Sequence, residues 1–319
     1  MATSGSIDFS ISRNDIIEAS LKQIGVLGEG ESPNSTQITE TSLLLNALVK
    51  ARMADGMPLW ALKEGYVLPM TGTNLYTIGS SAHVVSSYVT TTLASTASIG
   101  TTIVVTSASG ISSGYAIGVE QNDSTILWTT VNGAPSGTTV TLTAPLTVAA
   151  ASGKRVWVYN TTNRINRPLR VISAYIGQIV SDVLTNRWQI NIATKDQWLS
   201  LGNPTATGVP NQIWYDPLLT TGELHVYPQF LGGSQLIEIT YHRPFEDFDA
   251  STDTPDFPQE WYLSLIMDLA AILGAKAGVS IDERRELKKE AEMWRQLALD
   301  NGTEQGSLFM QPDTRQSWR

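Results

Sequence analysis

The sequence predicts an α+β fold: a bundle of about four helices, a small antiparallel β-sheet, an inserted all-β barrel or sandwich, and an extended C-terminal tail. Three observations predict it. Apolar residues recur at helical spacing near both ends of the 319-residue chain. Between His83 and Asn160 that pattern gives way to short β-branched runs holding only four charged residues, Glu120, Asp123, Lys154 and Arg155. From Glu304 onward neither period is present. The domain reading follows: residues 1–82 and 161–303 as two parts of one body, 83–160 as the insert, and 304–319 as the tail.

The elements follow in order. Ser12 and Asp15 have the spacing of a cap, with the carboxylate at the positive end of a helix. Ile17, Leu21 and Ile24 then repeat on one face, and Gly25 stops the helix. A second helix is expected from about Thr36 to Ala54, with Leu44, Leu48 and Ala51 on one face and Gly56 as its C-cap. Residues 65–69 and 75–78 read as strands, and the intervening Thr71-Gly72-Thr73-Asn74 suggests a hairpin.

The insert carries fifteen Thr between Thr90 and Thr147. β-Branched residues favour strands, expected at 101–105, 115–119, 126–131, 138–142 and 155–159. Turn signals at Gly110, Asn132-Gly133 and Ser136-Gly137 separate them. Beyond Asn160 a strand begins within 167–172, and residues 188–192 alternate. A short helix is capped by Thr194, and three strands follow at 212–215, 223–227 and 236–241. Pro258 suits the start of a long apolar helix over 259–275. Ser280 and Glu283 form a capping box for the last helix, whose face is Leu287, Ala291, Trp294 and Ala298.

Composition excludes several functions. The chain has no Cys, so it has no disulfide scaffold, thiolate zinc site or thiol nucleophile. Its net charge of -9 argues against a surface that grips phosphates. Charged residues make up 16% of the chain, against a globular average of about 25%. The first residues lack the basic and apolar regions of a signal peptide, and no run is long enough to span a membrane. The chain is expected to be made and kept in a reducing cytoplasm.

Motifs for chemistry are absent. No serine-hydrolase elbow or phosphate-binding loop occurs, and His83, His225 and His242 lack metal-site spacing. Gly25, Gly28 and Gly30 follow a helix, not a strand, which reads as a helix stop. Glu246, Asp247, Asp249, Asp253, Asp256 and Glu260 lie in a stretch with no Lys or Arg between Arg243 and Lys276. A solvated loop leading into a helix explains them. A glycosidase pair is the competing reading and would draw on Glu246, Asp247 and Glu260. Trp128 and Trp157 in the insert would serve either sugar stacking or a core. No cofactor or metal is expected.

The segments outside the insert resemble one family. They are residues 15–21 with 24–28; 45–48 with 55–60; 74–79 resumed at 167–170; and 241–248 with 256–261 and the helix beyond. In this order and spacing the chain resembles the head-to-tail adaptors of tailed bacteriophages, also called tail accessory or packaged-DNA stabilisation proteins. The insert resembles a Thr-rich β module, Ig-like in style, found in some of them.

The resemblance implies a structural virion protein, not an enzyme. It implies a ring, usually of twelve copies, under the portal protein at the head–tail junction. The ring extends the channel for double-stranded DNA without sequence-specific binding, retains the packaged genome and receives tail or nozzle proteins. The resemblance further implies portal docking by the C-terminal segment, here Leu308, Phe309, Met310, Trp318 and Arg319. Subunit contacts fall to the helices, with Leu21, Ile24, Leu44, Leu48, Leu287 and Trp294 as their apolar residues. The alternative is a tail-associated peptidoglycan hydrolase or glycan-binding module.

Overall fold

The structure is a computed structural model that describes residues 8–53, 59–79, 82–180 and 183–301. It is mixed α+β. The helices are α1 (Arg13–Gln23), α2 (Ser35–Arg52), α3 (Lys195–Leu199), α4 (Tyr262–Leu273) and α5 (Ile281–Asn301). The strands begin with β1 (Leu62–Val67), β2 (Leu75–Ile78) and β3 (Val84–Val85). Then come β4 (Val89–Thr92), β5 (Thr102–Val104), β6 (Ala116–Glu120), β7 (Ile126–Thr130), β8 (Thr139–Thr141) and β9 (Arg155–Tyr159). The long β10 (Arg170–Val180) leads to β11 (Val183–Gln189), β12 (Asn191–Ile192), β13 (Thr207–Gly208) and β14 (Gln212–Pro217). The last are β15 (Gly222–Tyr227), β16 (Gln229–Phe230) and β17 (Gln235–His242). Two compact units result. One is Leu62–Pro244; the other joins the stretch before Leu62 to the stretch from Phe245 onward.

The helical unit is built on local signals. Ser12 caps α1 with Asp15 in a reciprocal box: the Ser12 amide donates to Asp15 Oδ2 at 2.8 Å. Asn34 and Gln37 form the same box at the start of α2, one turn-defining residue earlier than the apolar pattern suggested. The Gly56 cap expected at its end lies outside the described residues. Ser280 Oγ donates to Glu283 Oε2 at 2.9 Å at the start of α5. Pro258 precedes a 3-10 turn, Gln259–Trp261, that leads into α4. Ile16, Ile17, Leu45, Val49, Leu265 and Leu269 make one dry core shared by α1, α2 and α4, which Ala298 of α5 joins.

α2 also holds the acidic loop. Asn46 exchanges two hydrogen bonds with the Phe248 backbone, at 2.9 and 3.0 Å. Lys50 Nζ donates to the Phe245 carbonyl at 2.8 Å. Trp60 stacks on Phe245 with centroids 4.9 Å apart. Beneath this, Arg52 pairs with Asp268 of α4, with side chains only 10% and 11% exposed. Burial raises the Asp268 carboxyl above its usual range, and the Arg52 charge pulls it back.

In the β unit, β11-β10-β17-β1-β3 form one sheet and β12-β14-β15-β2 another. Val67, Ile237 and Ile239 of the first share a core with Tyr76, Leu224 and Val226 of the second. The hairpin expected between β1 and β2 does not form. β1 pairs with β17 and β3, and β2 pairs with β15. The residues between them do turn, with Gly72 at φ +77, but they carry the chain from one sheet to the other.

β4-β9-β6-β7 and the pair β5-β8 have a separate core containing Ile103, Ile117, Val140 and Val158. The chain enters and leaves this module at paired backbone. Ser86 N donates to Asn163 O at 2.8 Å, and Ile165 N donates to Val84 O at 3.1 Å. Threonine hydroxyls pair across the surface of the module, Thr92 with Thr106 at 2.9 Å and Thr130 with Thr143 at 2.8 Å. Trp157 and Tyr159 are buried with Leu68, Ile179 and Leu236 of the neighbouring sheet. Trp157 Nε1 donates to the Gly233 carbonyl at 3.1 Å, and Trp128 Nε1 to the Pro69 carbonyl at 3.0 Å.

A buried ion pair broken on one side leaves an uncompensated charge. Arg52→Met is expected to cost about 3 kcal/mol in urea unfolding. The double change Arg52→Met with Asp268→Leu should cost less than the sum of the two single changes, because it strands neither charge.

Candidate functional site

The helical unit carries several grooves among the described residues. Leu21, Ile24 and Leu44 meet Leu273 and Ala277 in an apolar groove of about 180 Å³. An ion pair between Glu40 and Lys276 bounds it. Ile24 and Leu287 also line a wider, more polar groove of about 870 Å³ between the end of α1 and the first turns of α5. So three of the six helix residues singled out from sequence share one groove, and a fourth, Leu287, reaches the next.

The others are placed differently. Leu48 is 7% exposed and lies in the unit's own core, as does Leu21 at 4% outside the small area it lends the groove. Both side chains are spent largely on the unit's own packing. The periodicity that singles them out marks the inward face of a helix. Trp294 is half-buried on α5. Apolar residues that face outward include Leu43 of α2 at 73%, and Leu263 and Ile272 of α4 with Ile281, Met293 and Leu297 of α5, these five between 42% and 61% exposed. Sequence reasoning passed over Met293 and Leu297. Their signal was there: they sit four apart and off the Leu287–Ala291–Trp294–Ala298 stripe. The tail residues Leu308, Phe309, Met310, Trp318 and Arg319 lie outside the described residues.

The acidic loop is internally engaged. Asp253 Oδ2 accepts from the amides of Asp249 and Ala250 at 2.8 and 2.6 Å. Asp256 accepts from the Glu246 amide at 3.0 Å, and Asp247 pairs with Lys50 at 3.1 Å. These amides hold the Asp253 carboxyl below its usual range, and the Lys50 ammonium does the same for Asp247. A glycosidic general acid needs the opposite shift. Among the described residues no three His, Asp or Glu side chains group as metal ligands do.

The two Trp of the β4–β9 module are likewise occupied. Trp157 is fully buried. Trp128 stacks on His83 at 3.8 Å, and His83 Nδ1 shares a 2.7 Å hydrogen bond with Tyr159 Oη. Burial, with the Arg164 charge, pushes the His83 imidazole down to about 3. His225 stacks on Trp214 at 4.5 Å, and burial lowers it too, as it does His242. No described helix is long and apolar enough to cross a membrane.

No family model and no curated protein matches this chain.

The histidines set a pH dependence. His83 stays neutral in the folded chain but takes a proton near pH 6.5 when unfolded. Stability is therefore full above about pH 6.5 and falls with pH down to about 3, by at most about 1.4 kcal/mol per pH unit for each such histidine. Denaturant melts from pH 7 to pH 5 should show the fall, and His83→Gln should flatten part of it.

Proposed function

We propose that this chain is a structural virion protein, a head-to-tail adaptor that assembles as a ring beneath a portal. In this reading α1, α2, α4 and α5 form the ring-building helical bundle, and β4 to β9 form the inserted barrel or sandwich. The segment Leu308–Arg319 docks on the portal, and tail proteins attach to the assembled ring. The locale is the head–tail junction of a virion.

One observation carries the reading. The helical unit has already filled its own core, yet α4 and α5 still present Leu263, Ile272, Ile281, Met293 and Leu297 to solvent. Apolar area left over on a packed unit marks an interaction surface. Obligate contacts between subunits bury upward of about 2,000 Å², and a helix of 21 residues spans roughly 30 Å of such a surface. The acidic balance of the chain supports the same function, since a wall of net negative charge lets a polyphosphate slide past without gripping it. The ordered resemblance of the flanking segments adds to this.

A portal co-sedimentation assay tests the docking role. Deleting residues 306–319 should abolish co-sedimentation with portal rings, while circular dichroism and the melting temperature stay as in the full chain. A truncated protein that still assembles on portals would sink the role given to the tail.

A further inference from the structure

Helix α5 holds three ion pairs at i,i+3, Asp282–Arg285, Glu286–Lys289 and Glu292–Arg295, but also places like charges four apart. Like charges four apart on a helix repel, and opposite charges at that spacing attract. α5 places Arg284 four residues before Lys288, and Glu286 four before Glu290. The first pair belongs to a groove against the end of α4, floored by Ala271, Ile272, Ala275 and Ile281. Glu286 and Glu290 belong to the groove on the other side of α5. The 100° advance per residue places Met293 and Leu297 on that same acidic side.

Several of these charges have no ionic partner among the described residues. Among the described residues neither Arg284 nor Lys288 forms an ion pair, and Arg284 Nε is buried without a hydrogen bond. Glu290 likewise has no ion-pair partner among the described residues, whereas Glu286 pairs with Lys289 at 2.7 Å. Each flank thus joins exposed apolar side chains to charge with no ion-pair partner among the described residues, Arg284 and Lys288 on one and Glu290 on the other, and the two flanks have opposite net sign although Lys289 pairs with Glu286 on the acidic one. Ile272 and Ile281 accompany the cations at 43% and 61% exposure; Met293 and Leu297 accompany the anions at 56% and 51%.

We propose that the basic flank of α5 in one copy docks on the acidic flank of α5 in the next. The partner is a second copy of this chain, and the argument for it is this charge and apolar complementarity. The two surfaces differ, so the contact is heterologous and propagates in one direction, which makes a ring when the rotation closes. The contact rests on the adaptor reading for its closure into a ring.

Charge reversal with sedimentation velocity tests it on the full chain, up to about 1 mM, where even a millimolar contact is half-occupied. Lys288→Glu and Glu290→Lys, both at exposed positions, should each weaken self-association about tenfold or more. An equimolar mixture of the two variants should recover it, because alternating copies meet only opposite charges. The double variant should also recover it. High salt should weaken the wild type. Single variants that associate like the wild type, or a mixture that fails to recover, overturn the contact and leave ring formation standing on other surfaces. A wild type that stays monomeric at every concentration overturns the contact as well, and portal co-sedimentation then judges the adaptor reading separately. Association that only portal protein reverses or competes away would assign the flanks to the portal instead.

Discussion

The pairing of β1 with β17 organises the larger unit. These are the strands by which the chain enters and leaves it, and they run antiparallel in continuous register from Leu62↔His242 to Val67↔Ile237. β17 is buried along four successive residues, Leu236 to Glu238 and Ile239, so its backbone polar groups must be met from both sides. β1 meets one edge and β10 the other. Because the first and last strands close on each other, every residue between them must form an excursion that returns. The same arrangement recurs on a smaller scale where Val84–Ser86 pairs with 163–165 and opens the β4–β9 module. Glu238 is tolerated inside this strand because Arg187 Nε reaches its carboxylate at 2.9 Å.

Local structure was legible in the sequence where it rests on contacts a few residues apart. The boxes at Ser12/Asp15, Thr194/Gln197 and Ser280/Glu283 are chemistry at i and i+3, and the helices start where those residues stand. Strand positions were legible from alternation and β-branching, and β9 falls on the expected residues 155–159. Partners were not. A turn at Gly72 looks the same whether the flanking strands meet each other or separate sheets, and here they separate. β4 was missed because Val89 and a run of Thr offer no apolar alternation. The role of Trp157 and Tyr159 was invisible for a related reason: their neighbours Leu68, Ile179 and Leu236 are far away in the chain.

The proposed interaction surface shows a different limit. Helical periodicity finds the face that a helix buries, which is why Leu21 and Leu48 stood out and why they lie inside. The outward apolar residues break the period, so a stripe-based reading discards them as noise. Met293 and Leu297 carry information because the stripe beside them is already complete. The acidic loop has the converse history. Six carboxylates suggested chemistry, but amides of the loop and Lys50 engage Asp247, Asp253 and Asp256, so the cluster is the way this loop folds.

The charge deficit of the chain joins these points. Polar satisfaction in the β4–β9 module comes from threonine hydroxyls paired across strands, which need no charge and suit the pleated surface. Charge is concentrated instead on the helices, above all on α5. There Arg284–Lys288 and Glu286–Glu290 oppose the favourable i,i+4 order, beside three i,i+3 ion pairs that support the helix. Like charges left at that spacing fit the proposed contact with a second copy. Threonine pairing frees the β module from carrying charge, and the helical unit can sort its own charges by flank because its core, built on Ile17, Leu45 and Leu265, does not depend on them.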